Sequence, residues 1–196
     1  MMLEDDEHKN ELIDRWTMRK RVCVLGAGEK PLTEKTRNLF EGIGSGDIEA
    51  TNVDIRKLPT TDIIQDLNKK HWSALNTNAY DVVIAEHVAE HMRDRLAFLD
   101  ECRRIVRPYG KLIIEVPNWK HESAHNTLEH VTTWGRCIFN PCYITTGKYE
   151  VERVVYRMTY PFSWKSFYLD NEFIGRQLDR FTNKISGLRF HLKVIK

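Results

Sequence analysis

The chain has 196 residues, enough for one domain with a sizeable core. With 41% hydrophobic and 30% charged residues it has an ordinary globular composition, not a fibrous or low-complexity one. A formal net charge of +2 excludes a general nucleic-acid footprint, and no run of about 18 apolar residues predicts a membrane span.

The charge is uneven. Six acids (Glu4, Asp5, Asp6, Glu7, Glu11, Asp14) fall in the first fourteen residues, and six bases against Asp179 alone fall from Arg176 onward. Solvated ends are the plain reading of both. The acidic start lacks the apolar core of a signal peptide. Cys23 in a strand and Cys102 on a helix read as reduced, buried thiols, which suits a cytoplasmic protein. Cys137 and Cys142 are close enough to pair, but nothing demands it.

In chain order, Leu12, Ile13 and Trp16 share one side of a short leading helix. RVCVLG (21–26) is an apolar strand ended by glycine. Leu32, Thr36, Leu39, Phe40 and Ile43 recur at helical spacing, with Thr33 as N-cap and GIGSG (42–46) as the stop. IEATNVDI (48–55) is a second strand finishing at Asp54, and DIIQDL (62–67) a weaker third. YDVVIAE (80–86) is a strong buried strand. The helix after it, about 94–106, turns Leu96, Leu99, Cys102, Ile105 and Val106 inward. RPYG (107–110) makes a turn into the strand KLIIEVPN (111–118). This alternation predicts an α/β fold with a mostly parallel sheet and helices on both faces. Beyond Pro117 the chain is polar, aromatic and irregular until YEVERVVYRM (149–158). Residues 163–181 read as a loop and then a helix, and LRFHLKVIK (188–196) as a terminal strand. The late strands predict an antiparallel edge.

The turn Gly26-Ala27-Gly28-Glu29-Lys30-Pro31 is ill suited to a pyrophosphate. Pro31 has no N–H to offer, Glu29 sets a carboxylate near the phosphates, and the third glycine of the dinucleotide fingerprint is missing. No G-K-[ST] follows, so a P-loop is excluded. Two glycines still let a ligand approach the backbone. Glu29 suits an ammonium or sulfonium, Lys30 a carboxylate, and Asp54 the two hydroxyls of a ribose. S-adenosylmethionine has those parts and no phosphate.

VLGAGEKPL, NVDI, QDLN, YDVVIAEHVAEHM and FLDECRRIVRPYGKLIIEVPN, in that order, resemble the motifs of class I S-adenosylmethionine-dependent methyltransferases. The nearest likeness is to the small bacterial-type group associated with surface-polysaccharide genes. The resemblance covers residues 20–118 well and the tail loosely. It implies a single Rossmann-like domain with a mostly parallel, seven-stranded sheet. Residues 1–20 would be a leading helix, 21–118 the cofactor half, and 119–196 the acceptor half with terminal antiparallel strands.

Residue by residue, the resemblance implies that Gly26, Ala27 and Gly28, with Glu29, line the methionine part of S-adenosylmethionine. Asp54 would hold the ribose, with Ile55 beside the adenine. Asp66 and Leu67 would meet the adenine, and Glu86 and His87 would lie beneath the sulfonium and face the acceptor. The family usually keeps another glycine where Lys30 or Pro31 stands, and that departure touches the tail-end contacts.

HVAEH (87–91) also matches the H-x-x-E-H pattern of inverted zinc peptidases. That reading needs a helix and a third ligand, while the motif here follows a strand. It is the remote alternative, and no metal is expected. His121, His125, His130, Cys137 and Cys142 fit no standard zinc spacing. His125 and His130 are instead candidate general bases beside Glu86 and His87. Trp119, Trp134 and the cluster Phe162, Trp164, Phe167, Tyr168 are candidate walls for the acceptor.

EVPN lacks the second proline and the aromatic of the N/D-P-P-Y motif of amino-group methyltransferases, which favours oxygen over nitrogen as acceptor atom. The expectation is therefore methyl transfer to a small-molecule or sugar hydroxyl. The alternatives are an RNA or other nitrogen acceptor, or a partner subunit that grips the cofactor without catalysis.

Overall fold

The computed structural model describes residues 19–29, 48–139, 147–159, 166–181 and 184–196. The expected leading helix, the helix over 32–43 with its Thr33 cap, and Lys30, Pro31, Cys142, Phe162 and Trp164 lie outside them.

The strands, in chain order, are β1 (Lys20–Leu25), β2 (Ile48–Asp54), β3 (Ile63–Ile64), β4 (Tyr80–Glu86), β5 (Val106–Pro117), β6 (Tyr149–Thr159), β7 (Ser166–Leu169) and β8 (Ile185–Val194). Helix α1 covers Arg95–Ile105 and α2 Glu172–Phe181. The strands form one sheet in the order β3-β2-β1-β4-β5-β8-β6-β7. Pairing is parallel from β3 to β5 and antiparallel from β5 onward.

The central strands read as unbroken apolar runs because both faces are occupied. Cys23, Leu25, Val83, Ala85, Leu112 and Ile114 belong to the main core beneath α1. Val22, Val24, Val82, Ile84 and Ile113 form a smaller cluster on the opposite side. Burial pushes the thiol pKa of both Cys23 and Cys102 far up, so these cysteines are inert packing groups. Cys137 is exposed.

Four expectations need correction. Among the described residues the sheet has eight strands rather than seven, because part of 163–181 pairs with β6 as β7 before α2 begins. DIIQDL contributes only Ile63–Ile64, since Gln65 and Asp66 turn away to bond their neighbours' backbone. RPYG is no separate turn. The chain enters the sheet at Val106, and the extra residues bulge out between the pairs Tyr80–Val106 and Val82–Lys111, with Tyr109 at φ +60°. Leu96 does not face inward: the buried arc of α1 is Phe98, Leu99, Cys102 and Ile105, and Leu96 stands 45% exposed. Asp94 caps α1 by accepting from Leu96 N (3.1 Å) and Ala97 N (3.0 Å).

Candidate functional site

The carboxyl ends of β1, β2 and β4 meet at one edge of the sheet, where open α/β folds bind ligands. After Leu25 the backbone must reverse within three residues. Gly26 and Gly28 both adopt φ +63°, which L side chains rarely tolerate. Gly26 is doubly constrained, because a side chain there would strike Val88. Among the described residues, and apart from its chain neighbours, no atom lies within 4 Å of where a side chain at Gly28 would start. Ala27 N donates to Val53 O (3.1 Å), and Thr60 Oγ1 to Gly28 O (2.7 Å), pinning the turn to β2 and the loop after it.

Asp54, at the tip of β2, is the keystone of this turn. Only 5% exposed, it accepts Gly28 N on Oδ2 (3.0 Å) and both Arg56 N (2.9 Å) and Arg56 Nε (3.3 Å) on Oδ1. Burial alone would raise its pKa. The N–H groups of Arg56 and Gly28 and the Arg56 charge outweigh that and hold it below the ordinary carboxylate value. A carboxylate offers about four lone-pair sites, and among the described residues Oδ2 accepts only Gly28 N, which leaves room for a further donor. Ile55 beside it is exposed. Asp66 is half-buried, its Oδ1 accepting Asn68 N (2.9 Å). Leu67 is buried, and its carbonyl accepts Trp72 Nε1 (3.2 Å). Glu29 is exposed.

At the tip of β4, Glu86 is half-buried, and His87 leaves the strand at φ +55° with its N–H on Glu115 O (2.9 Å). A left-handed histidine is strained, and such strain clusters at functional sites. Its Nδ1 lies 3.1 Å from Glu90 Oε1, and its Nε2 3.1 Å from Arg157 Nη1. A carboxylate only accepts and a guanidinium only donates. The neutral ring therefore carries its proton on Nδ1 and a lone pair on Nε2. Burial alone would lower its pKa. The hydrogen bond and charge of Glu90, with the charge of Glu115, outweigh that, and the pKa lies above the ordinary histidine value despite Arg157.

Glu90 is 2% exposed, and its Oε2 has no partner among the described residues. His130 Nε2 is 4.0 Å from Glu90 Oε1, and the His130 ring stands edge-on to His91 at 4.9 Å. His91 Nδ1 is 2.9 Å from Glu129 O. Ala89–His91 is a short 3-10 turn, so His87 and His91 do not share an α-helical face as the peptidase pattern requires. Donor atoms of Glu90, His91 and His130, and separately of Glu86, His87 and Glu115, do lie within 4.8 Å of one another. His125 stands apart, with Nε2 2.8 Å from Trp119 O in the turn after β5.

Behind His87 lies a charged network that the sequence reading missed. Glu115 is buried and accepts Arg189 Nε (2.7 Å) and the Tyr168 hydroxyl (3.2 Å), with Arg157 Nη1 at 3.6 Å. The Arg189 guanidinium also stacks on Tyr168 at 4.1 Å. Glu115 sat inside EVPN and Glu90 inside HVAEH. Arg157 and Arg189 come from strands over 40 residues further on, with no motif to mark them.

A parallel sheet in the order β3-β2-β1-β4-β5, a glycine turn after its first strand and an acid at the tip of its second define a Rossmann-like domain. Residues 25–114 match a family model described as a methyltransferase domain. The ubiquinone biosynthesis O-methyltransferase of Cereibacter sphaeroides is 26% identical over 102 residues, covering 50% of this chain and 41% of that protein. The chain thus spans about two fifths of that relative's length. Among solved structures, a chain of the complex between the Haloferax volcanii Trm112 methyltransferase activator and a methyltransferase superposes with TM-score 0.60 at 13% identity, covering 98% of this chain and 96% of that one. An S-adenosylmethionine-dependent methyltransferase from Archaeoglobus fulgidus gives 0.60 at 17%, covering 95% and 91%. Residues 25–114 thus match a methyltransferase domain, and the chain shares the fold of S-adenosylmethionine-dependent methyltransferases.

Proposed function

We propose that the chain transfers the methyl group of S-adenosylmethionine to an oxygen of a small-molecule or sugar acceptor, with His87 as the general base. The observation that carries this reading is the Glu90–His87–Arg157 array at the tip of β4. The residues present suit the cofactor. Among the described residues, the free space beside Gly28 and the room left on Asp54 Oδ2 are where Gly26, Ala27, Gly28 and Asp54 would hold it. Ile55, Asp66 and Leu67 would flank its base, and Glu29 and Glu86 its cationic groups. When bound, it supplies a methyl group on a positively charged sulfur, whose departure leaves a neutral product.

The protein's own work is then positioning and proton removal. An amine acceptor needs no strong base, whereas a hydroxyl must lose its proton as the oxygen attacks. The acceptor hydroxyl displaces Arg157 Nη1 from the one lone pair of His87 Nε2, which then takes the proton, while Glu90 stabilises the imidazolium through Nδ1 and the displaced guanidinium is free to pair with the developing oxyanion. His130, close to Glu90, supports the carboxylate, and His125 shapes the turn after β5.

Transfer of labelled methyl groups to a panel of phenols, catechols, sugars and amines tests the proposal. Label should appear on hydroxyl compounds, and His87→Asn should slow transfer about 10²–10⁴-fold without weakening S-adenosylhomocysteine binding. Label confined to amines, or a full rate in the variant, contradicts it.

A further inference from the structure

A cavity of about 670 Å³ lies at the carboxyl end of β5, between the first turn of α1, the turn at Trp119 and Lys120, residues 133–138 and Asp179 of α2. Its walls are of two kinds. Leu96, Leu99 and Ile138 are apolar, and the half-exposed indole of Trp119 lies against Gly135, where a side chain would sit 2.9 Å from it. Leu96 is thus an apolar residue kept out of the core and turned toward a cavity.

The second kind is cationic: Arg95, Lys120 and Arg136. The only carboxylate lining the cavity among the described residues is Asp179, and it is already engaged. Asn118 Nδ2 holds its Oδ1 (2.7 Å), and Arg136 Nε its Oδ2 (3.4 Å). Lys120 Nζ donates to the backbone carbonyl of Asp179 (2.6 Å), and Arg95 Nη1 to that of Thr133 (2.9 Å). Neither forms an ion pair with a carboxylate among the described residues. Among the described residues, three cations against one buried acid leave an excess of two positive charges around an apolar slot.

We propose that this cavity binds an organic anion. The ligand has a flat apolar body to lie along Trp119, Leu96 and Ile138, and an anionic group to meet Lys120 and Arg95. A pocket of this size lined by apolar groups with a few placed charges takes a molecule of drug-like dimensions. Charge of the right sign at its rim selects among such molecules.

The probe is 8-anilinonaphthalene-1-sulfonate, whose fluorescence rises on binding, compared with its uncharged relative N-phenyl-1-naphthylamine. The sulfonate should bind at one saturable site and more tightly than the neutral compound. Leu96 is exposed, so Leu96→Glu should keep the melting temperature while weakening the sulfonate at least about tenfold and the neutral probe little. Lys120→Gln should weaken the sulfonate in the same direction by a smaller factor. Equal affinity for both probes, or sulfonate binding unchanged in Leu96→Glu, overturns the anion site.

Discussion

At the scale of single residues the active end of the molecule is defined by which groups can only give and which can only receive. His87 sits between an obligate acceptor, Glu90, and an obligate donor, Arg157, so its tautomer is fixed without any ligand. Its raised pKa gives a definite pH dependence. The base form is lost as pH falls through that pKa, so the rate should rise with pH up to an inflection above the ordinary histidine value of about 6.5. Removing the Glu90 charge removes the largest influence holding it up. Glu90→Gln should therefore move the inflection to lower pH, and a pH–rate profile of the two proteins checks it. An inflection that stays in place would mean that Glu90 does not tune His87. Asp54 shows the same economy, with one carboxylate folding the glycine turn through Gly28 N and, among the described residues, still keeping a lone pair.

At the scale of elements, legibility in the sequence follows the range of the interaction. β1 and β4 were readable because each is largely a run of apolar residues ended by local punctuation, Gly26 and the break at His87, and the more polar β2 was readable from its end at Asp54. α1 was readable from its period, though not its exact face. Leu96 obeys the i, i+3 spacing to Leu99 yet belongs to a cavity wall, a fact set by distant residues 133–138. The bulge at RPYG and the strand β7 were invisible for the same reason, since pairing with β4 and β6 rather than local propensity makes them.

The glycine turn and Asp54 of the candidate site were legible as local chemistry. The Glu115–Arg189–Arg157 network was not, because three strands far apart in the chain bring it together. Arg189 has the buried Glu115 as its partner in the register of β5 against β8. Arg189→Met leaves that carboxylate short of its main countercharge. It should cost about 3–5 kcal/mol in urea denaturation. A loss under about 1 kcal/mol would show that Arg157 and Tyr168 suffice.

At the scale of the whole molecule, stability should depend on acid through a residue far from the chemistry. His191, in β8, is buried, and its Nε2 lacks a hydrogen-bond partner among the described residues. Burial first, and then the charges of Arg153, Arg189 and Lys111, push its pKa down to about 4. The unfolded chain takes up a proton there near pH 6.5, while the folded protein refuses it until about pH 4. Folding stability is therefore lost as pH falls through that window, by about 2 kcal/mol between pH 7 and pH 5. His87 works the opposite way, its contribution being full below pH of about 6.5 and lost as pH rises through its folded pKa, so it offsets part of the acid loss from His191. Urea denaturation at the two pH values checks this, and His191→Gln should flatten the difference. Among the described residues no helix is long and apolar enough to cross a membrane.

The proposed function turns on S-adenosylmethionine being held at the tips of β1 and β2. Titration calorimetry with S-adenosylhomocysteine, on the wild type and on Asp54→Asn, tests it most directly. The asparagine keeps one oxygen for the turn and surrenders the charge. The wild type should bind at one site, and the variant about 1–3 kcal/mol more weakly while remaining folded by circular dichroism. A folded wild-type protein that gives no binding heat across a range of temperatures, or a variant that binds as tightly as the wild type, would contradict the account.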